Sequence, residues 1–289
     1  MSIDLLEQAT GVKAQGSPTS GLDERAADVF GSIGTLETRL ARNGREIDAA
    51  QALRYRVFVE EMGAVLPPEA MRLKRDIDAF DDICDHLLVI DHAIEGDPED
   101  QVVGTYRLLR HEVAIANGGF YSASEFAIEP LINRHAGKRF MELGRSCVLP
   151  DYRTKRTIEL LWQGNWNYSV RHNIDVMFGC ASFPGVQPQD HALALSFLAQ
   201  TACVDEEWMV EARPEIYQSM DILPPDSVNA RRALAAMPPL VKGYLRLGAM
   251  IGKGAVIDQA FNTTDVLIVL PVARISERYL NYYGSPATA

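Results

Sequence analysis

The segment 140–170 constrains the fold most strongly, because a strand-like run passes directly into a helix-like one. Residues 140–149 form a short apolar run that ends at Pro150 and Asp151. The basic turn RTKR follows, and residues 157–172 then carry apolar side chains at helical spacing. A buried strand followed by an amphipathic helix is typical of sheets covered by helices. The segment therefore predicts a central strand and a helix packed on its sheet.

The rest of the chain alternates between the same two patterns. Strands are predicted at 35–42, 86–91, 101–110, 140–149, 174–182 and 264–272, and helices at 46–61, 122–128, 157–172, 187–200 and twice after Pro225. The two strands at 86–110 are predicted to form a hairpin, and the whole order predicts an α/β (α+β) fold with a mixed central sheet flanked by helices and extra C-terminal helices.

The predicted organisation is one domain behind a tail. Residues 1–34 are rich in Gly, Ser and Ala and predict a weakly ordered N-terminal tail with a short helix at Leu22–Phe30. Residues 35–289 contain no linker-like segment and predict a single domain, with a helical elaboration at about 205–262.

Composition excludes several classes of protein. The net charge of −11 disfavours nonspecific nucleic-acid binding, which needs a basic face. The sequence contains no apolar run near the roughly 20 residues that span a bilayer, and its start lacks the basic and apolar segments of a secretory signal. The four cysteines are widely spaced, which indicates neither a disulfide framework nor a zinc site. We therefore expect a cytoplasmic protein without a metal.

Charged side chains interrupt the apolar patterns at four places. These are LRYRVF (53–58), DIDAFDD (76–82), VVGTYRLL (102–109) and ELGRSCV (142–148). A charge on a buried strand needs a partner or a chemical role. The residues alone leave both interpretations open for Glu142 and Arg145.

Taken together, the four segments resemble the acyl-homoserine-lactone synthases and their relatives among the Gcn5-type N-acyltransferases. In that pattern an Arg and a Phe lie on the first helix, two Asp on the next loop, an Arg on a strand after a Gly, and a Glu and an Arg on the central strand. The matching residues here are Arg54, Phe58, Asp78, Asp81, Arg107, Glu142 and Arg145. The resemblance implies the fold of that superfamily and places these residues at the substrate site.

The whole chain is more similar to a sister family, the bacterial L-ornithine Nα-acyltransferases. The autoinducer synthases have a Trp soon after the first helix, where this chain has EEMGAV, and they end earlier. The segments LLWQGNWNY, FGCASF and Pro238–Leu270 resemble the ornithine enzymes. The resemblance implies transfer of a 3-hydroxyacyl chain from acyl carrier protein to the α-amine of L-ornithine, the first step of ornithine-lipid synthesis. The alternatives are an acyl-homoserine-lactone synthase and a membrane-acting, haemolysin-like protein without catalysis.

That reaction assigns expected roles to individual residues. Glu142 is the candidate base that takes a proton from the amine, although it is equally consistent with a structural partner of an arginine. Tyr152 or Tyr168 is the candidate donor to the leaving thiolate. We interpret Cys147 as a small buried side chain rather than a nucleophile.

The same resemblance implies how the acceptor is bound. Asp78 and Asp81 are expected to bind the side-chain ammonium of ornithine, and one of three arginines its carboxylate. Backbone N–H groups of the central strand are expected to stabilise the oxyanion. The arginines are Arg54, Arg107 and Arg145, and the strand positions are Ser146, Cys147 and Val148.

The basic turn after the central strand indicates the donor. Gcn5-type enzymes carry a Q/R-x-x-G-x-G/A turn there, whose N–H groups hold the pyrophosphate of coenzyme A. This chain keeps the first residue as Arg153 but has Arg156 and Ile158 at the two small positions. Loss of these small residues disfavours close approach to a pyrophosphate. We expect Arg153, Lys155 and Arg156 to bind the single phosphate of phosphopantetheine and the acidic carrier, unless the turn is only solvated; no other cofactor is expected.

A second basic segment lies near the C-terminus. Residues 228–253 combine five basic side chains with apolar ones and contain no acidic residue. This composition is typical of a segment lying on an anionic membrane, although carrier docking and core packing remain open.

Overall fold

Eight strands form one mixed sheet in the structure, a computed structural model that describes residues 29–276. Across the sheet they lie in the order β1-β2-β3-β4-β5-β6-β8-β7. The strands are β1 (Val29–Ile33), β2 (Leu36–Leu40), β3 (Asp85–Asp91), β4 (Val102–Arg110), β5 (Phe140–Val148), β6 (Val176–Pro184), β7 (Met250–Asp258) and β8 (Thr263–Pro271). Strands β5 and β6 run parallel, and the other neighbours run antiparallel.

Eight α-helices lie within the described range. They are α1 (Gly44–Tyr55), α2 (Pro68–Leu73), α3 (His111–Ala116), α4 (Ile128–Arg134), α5 (Lys155–Arg171), α6 (Ala192–Thr201), α7 (Ala230–Ala236) and α8 (Pro239–Leu247). Helix α1 continues into a π-helical segment at Arg56–Glu61. The predicted mixed sheet flanked by helices is confirmed, as are the hairpin of β3 with β4 and the position of β5 inside the sheet.

The helices α1 and α5 cover opposite faces of the sheet. Along β3, Leu88 and Ile90 pack with residues of α1, whereas Leu87 and Val89 pack with residues of α5. Successive side chains of a strand point to opposite faces, so β3 is buried on both sides. This arrangement explains why β3 has a nearly continuous apolar sequence.

Helix α5 approaches the sheet closely because it carries a glycine at the contact. A Cβ built on Gly164 would lie 2.9 Å from both Leu87 Cδ2 and Thr38 Oγ1, closer than real Cβ atoms approach a neighbour. The Asn167 side-chain amide donates to the carbonyl oxygen of Phe30 at 2.6 Å. Helix α5 is therefore held firmly over β1 to β3.

Two predicted boundaries are wrong. Val29 and Phe30, assigned to the tail and its short helix, lie in β1, because Phe30 is buried in the core and the strand pairs with β2; residues 1–28 lie outside the described range. The predicted helical elaboration at 205–262 contains α7 and α8 but also β7. Ile251 and Val256 of β7 are buried in the sheet, and this burial favours a strand there.

Candidate active site

The site lies where β5 and β6 separate. Their pairing is confined to Phe140–Glu142 on β5 and Val176–Phe178 on β6, although β6 continues to Pro184 beside β8. A cavity of about 570 Å³ opens beyond this point and is lined by both strands. Backbone groups of β5 that would face β6 beyond Glu142 therefore lack that strand as a partner, which makes them available to a ligand.

A β-bulge directs Arg145 into this cavity. Two residues of β5, Arg145 and Ser146, stand opposite Tyr106 of β4, and Arg145 has a positive φ of 50°. The guanidinium of Arg145 lies 4.8 Å from the ring centre of Tyr121 and 4.2 Å from that of Phe261. A left-handed conformation is unusual for a residue other than Gly, and it persists where the surroundings enforce it. The bulge thus places a cation between two aromatic rings.

Three arginines and three aspartates form a buried ion cluster beside the cavity. Arg54 Nε lies 2.8 Å from Asp76 Oδ2, and its Nη2 lies 2.8 Å from Asp81 Oδ1. The other pairs are Arg107 with Asp78 at 2.5 Å and with Asp81 at 3.2 Å, and Arg145 with Asp76 at 3.1 Å and with Asp78 at 3.2 Å. Three positive groups therefore face three negative ones, and the cluster is balanced.

This cluster shows what the residues predicted to bind the acceptor contact within the protein. The sequence-predicted residues Arg54, Asp78, Asp81 and Arg107 are brought together, but they contact one another. Arg54 has no exposed surface. Burial acts to raise the pKa of Asp81, yet Arg54 and Arg107 hold it below its usual value. Asp78 and Asp81 are thus already neutralised by arginines, and an ornithine ammonium would compete with those arginines.

Glu142 is bound by a neighbouring loop rather than by an arginine. It accepts hydrogen bonds from the backbone N–H groups of Tyr121 at 2.8 Å and Ser122 at 2.7 Å, and from the Ser122 hydroxyl. Burial raises the pKa of Glu142, and these hydrogen bonds oppose the increase. The expected pairing with an arginine is not found among the described residues. The carboxylate borders the cavity and also fixes the loop that carries Tyr121.

Three further carboxylates converge beside the cavity, and two of them, Asp258 and Asp265, line it. Oxygens of Glu125, Asp258 and Asp265 all lie within 4.8 Å of one another. Burial raises the pKa of Glu125 to about 7, and the charge of Asp265 adds to the increase. Burial likewise raises the pKa of Asp265 to about 6. We call these three residues the acidic end; the sequence analysis did not identify any of them.

The remaining wall of the cavity is largely apolar. Phe58, predicted to contact substrate, lies in this wall, as do Ser146, Cys147 and Val148 of β5. Burial raises the pKa of Cys147 to about 12, so its thiol is protonated at neutral pH. Other residues of the wall are Val57, Met62, Ile158, Leu161, Trp162 and Leu240. The cavity thus combines an apolar wall with a charged end.

The structure places the two predicted proton donors away from the cavity lining. The Tyr152 hydroxyl donates to Asp91 Oδ2 at 2.7 Å, and Tyr168 donates to Asp85 at 2.5 Å. Neither tyrosine lines the cavity, whereas Tyr106 and Tyr121 do. The hydroxyl of Tyr106 lies 3.2 Å from that of Tyr244. Tyr106 is therefore a cavity-lining tyrosine on β4, the strand next to β5.

The basic turn lies at the start of α5 and partly pairs within the protein. Arg153 lines the cavity and forms two hydrogen bonds of 2.6 Å with Glu61 at the end of the π-helical segment. Lys155 is exposed and lies 3.3 Å from Glu159, while Arg156 is exposed. Arg153 is thus largely neutralised, and Lys155 and Arg156 carry the positive charge that faces solvent.

The second basic segment packs mainly into the core. Val241, Tyr244 and Leu247 of α8 are buried under the sheet, and β7 takes up the end of the segment. Arg231 and Arg232 of α7 remain exposed. Membrane contact, carrier docking and core packing were the three possibilities for this segment, and core packing accounts for its apolar side chains. Between residues 29 and 276, no helix has the length and apolar character needed to cross a membrane.

Comparison with known proteins decides the family. The chain is 70% identical over 262 residues to the L-ornithine N(alpha)-acyltransferase of Rhizobium meliloti strain 1021, covering 91% of this chain and 88% of that protein. The chain belongs to the L-ornithine N(alpha)-acyltransferase family. Family members of the same name from Agrobacterium fabrum and Rhodobacter capsulatus are 68% and 40% identical, over 94% and 86% of this chain and 92% and 95% of theirs.

A domain family and several solved structures show more distant likenesses. The profile of the acetyltransferase (GNAT) domain matches residues 53–163. Among solved structures, FeeM, an N-acyl amino acid synthase from uncultured soil microbes, is 12% identical with a TM-score of 0.46, covering 82% of this chain and 91% of its own. The acyl-homoserine-lactone synthase LasI is 12% identical with a TM-score of 0.44, covering 89% and 99%. These likenesses are distant, and the family assignment rests on the sequence relatives.

One residue of the acidic end had a signal in the sequence. Asp265 interrupts the apolar run of β8 as Glu142 interrupts that of β5, so the same reasoning applies to it. Glu125 follows a short 3₁₀ turn. Asp258 is the last residue of β7, a strand that the sequence did not predict. These two positions have no local pattern that distinguishes them from solvated carboxylates.

Proposed function

We propose that the protein transfers an acyl chain, such as a 3-hydroxyacyl group, from the thioester of acyl carrier protein to the α-amine of L-ornithine. The product is an Nα-acyl-ornithine, the single-chain lyso form of an ornithine lipid, and this would be the first step of its synthesis. The 70% identity to an L-ornithine N(alpha)-acyltransferase carries the proposal. The cavity supports it, because an apolar wall suits an acyl chain and a charged end suits an amino acid.

In the proposed reaction the neutral α-amine attacks the thioester carbonyl carbon between β5 and β6. An amide C–N bond forms, the C–S bond breaks, and the amine loses one proton. Glu142 is the proposed acceptor of that proton through Oε2, which receives a single hydrogen bond, from Tyr121. Its raised pKa favours this role. Backbone N–H groups of β5 at Ser146–Val148 would stabilise the oxyanion, and Tyr106 would protonate the thiolate.

Two features support acyl carrier protein as the donor. Arg156 and Ile158 occupy positions where coenzyme A-binding turns carry small residues, which disfavours a closely held pyrophosphate. Lys155 and Arg156 present positive charge to solvent at the start of α5, and Ile158 and Leu161 of the same helix line the cavity. A carrier is acidic, so these cations would attract it to an enzyme whose net charge is −11.

We also propose a cytoplasmic site of action with contact at an anionic membrane. Arg231 and Arg232 are exposed on α7 together with Leu234, and α8 begins at the cavity wall with Pro239 and Leu240. A membrane near this wall would receive a lipid product as it leaves. Sedimentation with vesicles of phosphatidylglycerol should carry the protein down, and Arg231→Ala with Arg232→Ala should reduce that binding; equal binding would exclude α7.

A reconstitution tests the reaction itself. Purified protein is incubated with 3-hydroxypalmitoyl-carrier protein and L-ornithine, and free carrier thiol and acylated product are followed by mass spectrometry. We expect one Nα-acyl-ornithine for each thiol released. Thiol release without ornithine would indicate a hydrolase, and turnover with acyl-coenzyme A alone would exclude the carrier as donor. Product formation from S-adenosylmethionine would favour an acyl-homoserine-lactone synthase.

A further inference from the structure

The acidic end has no cationic partner in the part of the chain that the structure describes. None of the ion pairs between residues 29 and 276 includes Glu125, Asp258 or Asp265. Arg145 is the cation whose charge acts on Glu125 and Asp265, but its guanidinium is already paired with Asp76 and Asp78. Because the Arg–Asp cluster is balanced, each carboxylate of the acidic end that is ionised adds negative charge beside the cavity that no paired cation compensates. Uncompensated buried charge is costly and is typical of sites that receive a ligand.

One of these carboxylates has a free acceptor atom. Asp265 exposes 6% of its surface, yet its Oδ1 accepts no hydrogen bond from any residue in the described range. The hydroxyl of Thr263, on the same strand, is also buried and without a partner there. Both side chains line the cavity. Thr263 and Ser182 lie near this carboxylate and lower the pKa of Asp265, but neither completes the hydrogen bonding of its Oδ1. A cavity partner that satisfies this oxygen must donate a proton.

The other two carboxylates have oxygens to spare. Asp258 Oδ1 accepts the N–H groups of Ala260 at 2.8 Å and Phe261 at 3.0 Å, which leaves Oδ2 available. Glu125 Oε2 accepts a hydrogen bond from the Cys180 thiol at 3.3 Å. Three acceptors from three separate elements therefore face one point.

Their spacing fits an ammonium group. An ammonium donates along tetrahedral directions at about 2.8 Å, which separates its acceptor oxygens by roughly 4.6 Å. One oxygen atom from each of the three carboxylates lies no more than 4.8 Å from the other two, so the group can close around one ammonium. We infer that Glu125, Asp258 and Asp265 bind the side-chain ammonium of a basic amino-acid acceptor and thereby select it over neutral amino acids. This inference rests on the proposed function and assigns the subsite that determines its acceptor.

The subsite and the proposed base are carried by different elements of the cavity wall. Glu142, the proposed base, lies on β5, whereas Asp265 lies on β8 and Asp258 at the end of β7. An acceptor bound at the acidic end by its side-chain ammonium would reach Glu142 with its α-amine only over the length of its side chain. The length of the side chain then matters, and lysine, with one more methylene group, should be a poorer acceptor than ornithine.

A comparison of two acceptors tests the inference. Norvaline has the ornithine skeleton without the side-chain amine, and both are assayed with the acyl-carrier donor. For Asp265→Asn we expect kcat/KM with ornithine to fall about 100-fold, since a buried charged hydrogen bond is lost. With norvaline, kcat/KM should change less than about threefold, because norvaline does not use the subsite. Asp226→Asn, at an exposed turn, is the matched control and should change neither value.

A second variant guards against misfolding of the first. Thr263→Val keeps the shape of the side chain and removes the free hydroxyl, and it should lower the ornithine-to-norvaline ratio about tenfold. An unchanged ratio in both variants would overturn the inference while leaving the proposed function intact. A wild-type protein that acylates neither acceptor would overturn the proposed function as well. Turnover that is lost on dialysis against a chelator and restored by Mg²⁺ or Ca²⁺ would assign the acidic end to a metal instead.

Discussion

Gly179 lies so close to Leu143 that a Cβ built on it would be 2.2 Å from the Leu143 carbonyl oxygen. The contact lies one residue beyond the last pair of β5 with β6, where the two strands separate. The absence of a side chain at Gly179 therefore sets how closely the two walls of the cavity meet.

Gly179→Ala should open this contact. Since the neighbour is backbone, a strand must move, and we expect the free energy of unfolding to fall by about 2 kcal/mol. The shift also displaces the reacting groups, so kcat/KM should fall at least about tenfold. Urea titration and the reconstituted assay measure the two effects. Gly44→Ala, where a Cβ meets no atom within 4 Å, should change neither; equal behaviour of the two variants would contradict the prediction.

Glu142→Gln separates the two roles of Glu142. The amide cannot accept the proton of the amine, so kcat should fall about 100-fold or more. Ser122→Ala removes one hydrogen bond to the same carboxylate without removing the proton acceptor, so it should lower stability by about 1 kcal/mol and retain most turnover. Turnover and urea titration are measured for both. Near-normal turnover of Glu142→Gln would leave Glu142 with a structural role alone.

Arg54→Met tests the balance of the buried ion cluster. The change leaves Asp76 and Asp81 facing two arginines instead of three, and removing one partner from a buried pair costs about 3–5 kcal/mol. Urea titration measures the loss. The exposed pair of Arg72 with Glu69 provides the control, because Arg72→Met should leave the free energy of unfolding nearly unchanged. Similar losses in the two variants would mean that the cluster contributes no more than a surface pair.

Lys155→Ala with Arg156→Ala tests docking of the carrier. Removing two exposed cations should raise KM for acyl-carrier protein about tenfold and leave KM for ornithine unchanged. The effect should shrink at high salt, since screened charges attract weakly. Arg72→Ala with Lys74→Ala at the end of α2 removes the same charge elsewhere and should have little effect. A change confined to the ornithine KM would refute carrier docking at this turn.

The ornithine-to-norvaline ratio of kcat/KM should depend on pH. The pKa values of about 7 for Glu125 and about 6 for Asp265 mean that both carboxylates gain protons as pH falls from 8 to 5. Neutral carboxyls bind an ammonium poorly, so the ornithine-to-norvaline ratio should decrease as pH is lowered from 8 to 5. The loss of the α-amine proton affects both acceptors and cancels in the ratio. Other groups that affect these pKa values are Asp258, Cys180 and Arg145 for Glu125, and Asp258, Ser182, Thr263 and Arg145 for Asp265.

The same pKa values predict how stability varies with pH. The folded state holds protons on Glu125 and Asp265 at pH values where the unfolded chain has released them, so their contribution to stability decreases as pH rises through about 6 to 7. Asp265→Asn removes one of these charges. The variant should therefore be more stable than wild type at pH 8, and the difference should vanish near pH 4. Thermal unfolding across this range checks the sign, and a less stable variant at pH 8 would contradict it.

Apolar runs and helical spacing in the sequence predicted those strands and helices whose burial shows in their own residues. The apolar runs identified β3 to β6 and β8, and helical spacing identified α1 and α5. Strand β7 was missed because a Gly-Lys-Gly sequence interrupts its apolar pattern and because its burial depends on β8, its partner in the sheet. Strand β1 was missed for a similar reason, since Phe30 is buried by contacts with α5 and β2.

Several of the predicted site residues lie together, but their contacts with one another were not predicted. Arg54, Asp78, Asp81, Arg107 and Arg145 do meet in space, as the family resemblance implied. Their pairing with each other depends on three-dimensional distances that no spacing in the chain encodes. The acidic end draws one carboxylate each from the loop after β4, the end of β7 and β8, so its members are far apart in sequence. Its recognition required the structure.

The three-against-three ion cluster has a consequence for how this family changes over time. Each of its arginines contacts two of its aspartates, so replacing any one member leaves an unmatched charge in the interior. A first substitution is then harmful until a second, opposite one follows it. Descendant sequences should thus keep all six positions or exchange them as charge-balanced pairs, so that these residues are inherited as one unit.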